Sequence, residues 1–165
     1  MDDSDQPRTS GFSPFWEQRP LDALSGDQWE SLCDGCGRCC LEKMINHRTG
    51  KVTYTNLACP LLDHTSCRCR DYANRSRIIS DCLSLAPGPI RQFRWLPKTC
   101  AYRLLAEGKP LPRWHPLVSG RPESVHEAGI SLRGRPLVPR NLCSQDLDAH
   151  VVDWGIWAKK ATPDG

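Results

Sequence analysis

The stretch CDGCGRCC, residues 33–40, places four cysteines in eight positions. Cys33, Cys36 and Cys39 are spaced by three, and Cys40 follows directly. Cys59, Cys67, Cys69 and Cys82 come next, so nine of the ten cysteines, with Cys100, lie between residues 33 and 100. Thiols at this density can be disulfide partners, redox nucleophiles or metal ligands. A Cys-x-x-Cys turn lets two sulfurs reach one ion at about 2.3 Å while nearby amides hydrogen-bond the thiolates. The glycine after Cys36 suits so tight a turn.

The other uses fit less well. Disulfides need an oxidising compartment, and the polar, acidic opening MDDSDQPRTSG is no secretory signal. The expected location is therefore the cytoplasm. Thiol–disulfide exchange needs one Cys-x-x-Cys pair, not eight thiols. Cys100, on a predicted helix face, and Cys143, which is isolated, read as packing residues. The ligand set expected is Cys33, Cys36, Cys39, Cys40, Cys59, Cys67, Cys69 and Cys82. Cys39 and Cys40 are adjacent, so their side chains are expected to diverge towards different metals or different atoms of one cluster. More than one metal per chain follows.

Zinc and iron both remain open. Closed zinc sites draw four thiolates from two paired motifs, whereas one pair here is Cys67-Arg68-Cys69 and Cys59 and Cys82 stand alone. Iron–sulfur centres favour three cysteines spaced by three and a remote fourth before proline. Cys33, Cys36, Cys39 and Cys59-Pro60 follow that outline, but a second run is missing and Cys40 intrudes. His64 is the histidine best placed to join. Asp34 and Asp63 could add oxygen, which would favour iron over a pure thiolate zinc site, although as turn caps they need no metal. Trp114 and His115 read as a packed surface turn.

The elements that must position these residues are short. Residues 1–23 form an expected flexible N-terminal arm, with Phe12, Phe15 and Trp16 available to pin it, and residues 24–160 the cysteine-rich metal-binding domain. Ser25 and Gln28 make a capping box for a helix over about 26–33, which sets Trp29 and Leu32 near Cys33. Gly35 and Gly37 argue against its continuation. A strand is predicted over 51–55, and one or two helical turns near 71–82 with Ile78 and Ile79 facing inward. APGPIRQF is expected as a proline-set turn that opens a short helix at Pro89. The clearest helix spans about 98–107, stopped by Gly108. Two short strands are predicted around Gly134, and a helix or strand over 144–157 with Val151, Trp154 and Trp157 packing.

Bulk properties agree with a metal-organised fold. The 165 residues contain 14 prolines and 39% hydrophobic residues, below the usual apolar share. A structural metal adds about 10 kcal/mol or more of folding free energy to so limited a core. The expected fold is a small, irregular α+β domain, with short helices and few short strands around a cysteine-ligated metal centre. No apolar run is long enough to span a bilayer. Net charge is −5 over residues 1–32, +7 over 33–105 and +1 over 106–165. The basic middle coincides with the cysteines, where Arg38, Arg68 and Arg70 can offset thiolate charge.

Two other functions compete. An iron-dependent oxidoreductase or modifying enzyme would need an open coordination position and a base, for which only His64, Asp34 and Asp63 offer themselves. A zinc-ribbon-like nucleic-acid or protein adaptor could set Arg75, Arg77, Arg91 and Arg94 on phosphates. Few aromatics interleave with those arginines, so nucleic acid is not the favoured partner.

The segments LCDGCGRCC, ACPLLD, CRCRDYANR, DC and WLPKTCAYRLLAEGKPLPRWHPLVSG together resemble the bacterial YcgN-type family, within the wider CxxCxxCC group of zinc- or iron-chelating proteins. The resemblance spans roughly residues 12–157. It implies chelation at Cys33, Cys36, Cys39 and Cys40, with Cys59, Cys67, Cys69 and Cys82 matching the later cysteines. It implies no reaction or substrate, and Cys143 is not part of the pattern.

Overall fold

A computed structural model describes residues 13–142 and 146–153. The architecture is a small α+β domain. Its elements are α1 (Phe15–Gln18), α2 (Gly26–Ser31), β1 (Leu41–Ile45), β2 (Val52–Ala58), α3 (Arg75–Ile78), α4 (Ala101–Ala106), α5 (Pro116–Ser119), α6 (Ser124–Glu127) and β3 (Val138–Pro139). The capping box forms as the sequence predicts: Gln28 N–H donates to Ser25 Oγ and Ser25 N–H to Gln28 Oε1.

β1 and β2 pair antiparallel, and β3 adds to β2 in parallel. The register runs Leu41↔Ala58, Lys43↔Tyr54, Met44↔Thr53 and Ile45↔Val52, with an irregularity at Glu42. β2 extends the predicted strand by three residues. β1 was not expected, because LEKMI shows no clean alternation. Its pairing with β2 supplies what its pattern lacks, and only Leu41 is fully buried.

Other departures have local causes. α4 starts at Ala101, three residues later than predicted, because Cys100 N–H closes a turn onto the Pro97 carbonyl. The region predicted as two strands around Gly134 instead holds α6 and the two-residue β3. Pro136 there has no N–H to give a ladder. α3 is a single turn that ends in extended backbone at Ile79. Ile78 therefore stays 50% exposed rather than facing inward. Phe12, Cys143, Trp154 and Trp157 lie outside the described residues. The described part of the predicted 144–157 element contains a 3₁₀ turn, Asp148–His150, and a bridge from Val151 to Thr55, with Val151 left exposed rather than packed.

Two apolar clusters hold the domain. One unites Trp29, Leu32, Phe93, Leu96, Ala101, Tyr102 and Leu111, with Phe15, Trp16 and Leu21 packed against it. The other unites Leu41, Ala58, Leu62, Cys67 and Leu132. The stretch 33–40 bridges them, leaving α2 beneath the first and entering β1 at the second.

Candidate metal centre

The cysteine stretch is anchored at both ends. The carbonyls that end α2 lack a full helical ladder; the Trp29 carbonyl takes only the Leu32 N–H at 3.1 Å, and distant side chains supply further donors. Tyr102 Oη donates to the Trp29 carbonyl at 2.8 Å, and His115 Nε2 bonds the Leu32 carbonyl at 3.0 Å. The other His115 nitrogen, Nδ1, accepts from Leu117 N–H, which fixes the Nε2-protonated, neutral tautomer. His115 is fully buried, not the surface residue its proline-flanked context predicts. Burial lowers its pKa, which agrees with the neutral ring.

Gly35 and Gly37 both take φ of +77°, the left-handed conformation that favours glycine. Each also receives a neighbour where a Cβ would sit. At Gly35 the Arg68 guanidinium would lie 2.9 Å away, and at Gly37 the Cys67 Cβ would lie 3.2 Å away. The knuckle is then pinned by Leu132 N–H donating to the Cys36 carbonyl at 2.9 Å. A 3₁₀ turn, Arg38–Cys40, follows.

That turn corrects one expectation. Cys39 and Cys40 do not diverge. The two sulfurs sit close enough to shift one another's titration. Successive side chains in a 3₁₀ turn are about 120° apart, not opposed as in a strand. The contact, with Lys43 beside it, holds Cys39 below the ordinary thiol range and raises Cys40.

The later cysteines are delivered by the sheet and its loop. Cys59 N–H donates to the Cys40 carbonyl at 2.9 Å, directly beyond the Leu41↔Ala58 pair. The chain then folds back so that Cys69 bridges to Leu62. Cys82 follows α3, where its N–H donates to the Ile79 carbonyl. Arg140 clamps the neighbouring Asp81 with two hydrogen bonds, 2.9 and 2.7 Å, and reaches Glu42 on β1 at 2.9 Å.

Six of the eight expected ligands, Cys33, Cys39, Cys40, Cys59, Cys69 and Cys82, thereby line one cleft of about 340 Å³. Trp29, Tyr72 and Trp95 give it apolar walls, and Lys43, Arg75 and Arg140 give it positive charge. The other two stand apart from its lining. Cys36 is buried behind the knuckle, and Cys67 is buried in the second apolar cluster. Among the described residues, no three cysteine, histidine or carboxylate side chains are already gathered closely enough to enclose an ion.

Burial dominates the thiol chemistry. It raises Cys36, and loss of solvent around the sulfur pushes Cys33 up to about 11 although the residue is exposed at the cleft. Arg38 is buried, and its Nη1 donates to Thr99 Oγ1 at 3.1 Å. Desolvation lowers its pKa to about 10, opposed chiefly by the charge of Cys36. Arg68 lowers the Cys33 pKa. Arg70, expected to serve the thiolates, instead pairs with Asp63 at 3.6 Å.

Asp63 caps its own turn, accepting from Thr65 N–H and from Ser66 N–H and Oγ–H. His64 lies in that turn and outside the cleft lining. Asp34 differs. It is 5% exposed, its Oδ1 accepts from Cys36 N–H at 2.9 Å, and its Oδ2 has no hydrogen-bond partner. The sequence gives one clue to this, the position of Asp34 inside the cysteine stretch.

Fold and site define a small cysteine-rich α+β protein whose thiols converge on one cleft. A family model described as "Putative zinc- or iron-chelating domain", CxxCxxCC, matches residues 32–101. The chain belongs to the UPF0260 family. It is 55% identical over 141 residues to a UPF0260 protein of Gluconacetobacter diazotrophicus, covering 86% of this chain and 87% of that one. It is 53% identical over 139 residues to one of Azotobacter vinelandii, covering 84% and 93%. One of Sinorhizobium medicae is 49% identical over 146 residues, covering 88% and 94%. No solved structure matches. Among the described residues, no helix is long and apolar enough to cross a membrane.

Proposed function

We propose that this protein chelates zinc or iron through the thiols of residues 33–40 together with the later cysteines, in two adjoining centres. The observation that carries the reading is the convergence of six cysteines from three segments, 33–40, 59–69 and the turn at Cys82, on one cleft. A hydrophobic core has no need to bring them there. The donor set suits the ion: thiolates select zinc and iron, and the unpaired Asp34 oxygen calls for a cation nearby. Lys43, Arg38 and Arg68 offset the negative charge that several thiolates leave on a divalent ion.

The Cys39–Cys40 contact sits where the two centres would meet. Such proximity also suits an iron–sulfur cluster, in which neighbouring cysteines hold different iron atoms, and the cleft has room for bridging sulfide. Chelation by free thiols belongs to a reducing compartment, which supports a cytoplasmic location.

The test is elemental analysis with a visible spectrum on protein purified without oxygen. Zinc or iron in more than one equivalent per chain is expected. Colour would assign iron and a colourless zinc protein would assign zinc, while metal-free protein with every thiol free would refute the reading.

A further inference from the structure

Cys100 reads as packing from sequence and Cys67 as a ligand. In the structure Cys67 sits in the second apolar cluster, and Cys100, which borders the first, is tied to the cysteine stretch. We infer that Cys100 joins Cys33, Cys36 and Cys39 to form the deeper metal site, beside the Asp34 carboxylate, and that Cys67 is a packing residue. This rests on the proposal that the cysteines chelate metal, and it fixes which of them do so.

Three observations carry it. First, Cys100 is tied to the cysteine stretch. Arg38, inside that stretch, donates to Thr99 next to Cys100. Cys36 and Cys100 share electrostatic neighbours: each acts on Arg38, and the charges of Asp34 and Cys39 act on both.

Second, Asp34 lies among these same thiols, because its charge reaches Cys33, Cys36, Cys39 and Cys100. Its Oδ2 is buried without a partner. An unpaired carboxylate oxygen in such a place is costly, and a neighbouring cation removes the cost. Four thiolates and one carboxylate around a divalent ion leave three negative charges. The guanidinium groups of Arg38 and Arg68, both turned towards this stretch, offset two of them.

Third, Cys67 faces elsewhere. It is 3% exposed and packs with Leu41, Ala58, Leu62 and Leu132. The groups acting on its sulfur are Ser131, the backbone at Leu132, and Arg133. Its Cβ lies against Gly37, which it supports from behind.

The remaining four cysteines then form the second site. Cys59 and Cys69 act on both Cys40 and Cys82, and all four line the cleft. Each site thus has four thiols, with Cys39 and Cys40 adjoining at the boundary.

The probe is cobalt(II), titrated anaerobically into the full metal-free chain, with sulfur-to-cobalt charge-transfer absorption reporting each thiolate bound. Cys100→Ser suits the test because Cys100 is the N-cap of α4 and serine is a favoured N-cap. Circular dichroism of the metal-free variant checks that the fold survives. Cys100→Ser is expected to lose part of the absorption and to weaken one of two binding phases, while Cys67→Ala keeps both phases at full intensity. Asp34→Asn should weaken the same phase about ten-fold, the scale of a lost supporting contact.

Unchanged cobalt absorption in Cys100→Ser, or a lost phase in Cys67→Ala, would overturn the assignment while leaving chelation intact. A wild-type chain that binds no cobalt would instead refute chelation, and with it this assignment.

Discussion

A thiol that folding pushes up in pKa makes stability depend on pH. Cys33 rises from an ordinary 9.0 to about 11, and Cys100 to about 12, chiefly through desolvation. Between about 9 and about 11 the unfolded chain therefore loses protons that the native, metal-free protein still holds. Stability falls as pH rises wherever the unfolded state binds fewer protons. The urea midpoint of the metal-free protein should drop across that window, while the metal-loaded protein, whose ligand thiols are already deprotonated, changes less. A flat or rising midpoint for the metal-free form would contradict the desolvation of these sulfurs. Gly37 supplies a second residue-scale expectation. Gly37→Ala places a Cβ at positive φ, 3.2 Å from the Cys67 Cβ and 3.4 Å from Leu132 Cδ1. The backbone strain alone costs about 1–2 kcal/mol, and the contacts with buried neighbours add to it. Chemical denaturation measures the loss, and a neutral substitution would show that the knuckle has another shape.

The elements show why some of this arrangement is legible in the sequence. The capping box of α2, the glycine stop of α4 and the β-branched run of β2 are local signals, and each element forms where those signals lie. β1 has no such signal and exists by pairing with β2. The same division holds for the site. The spacing of residues 33–40 marks a chelating stretch, but the delivery of Cys82 depends on Arg140, almost sixty residues away, gripping Asp81 and Glu42. His115 likewise reads as a surface turn until its contact with the Leu32 carbonyl is seen. Long-range polar anchors leave no periodicity to read. Arg140→Ala should loosen the Cys82 end of the cleft. The expected result is weaker binding at the centre fed by Cys40, Cys59, Cys69 and Cys82, with binding that depends on Cys36 retained. Isothermal titration of metal into the variant resolves the two, and an unaltered isotherm would remove Arg140 from that role.

At the scale of the whole molecule, two modest apolar clusters meet at a stretch of eight residues that contains four thiols. Neither cluster encloses the cleft. In the metal-free protein Cys33, Cys40 and Cys82 hold their protons above the ordinary thiol range, and a bound ion must displace those protons to draw the cleft together. Metal binding and folding are then one equilibrium, with ligand deprotonation coupled to both. Removing metal with a chelator should lower the thermal midpoint and slow proteolysis should become fast, beginning in the 59–82 region, whose backbone is mostly turns. The most direct measurement is the metal content of anaerobically purified wild-type protein, set beside its count of free thiols. The account predicts zinc or iron at more than one equivalent per chain, with most thiols unreactive until the metal is removed. No bound zinc or iron, and all ten thiols titrating freely once the chain is unfolded without a chelator, would contradict it.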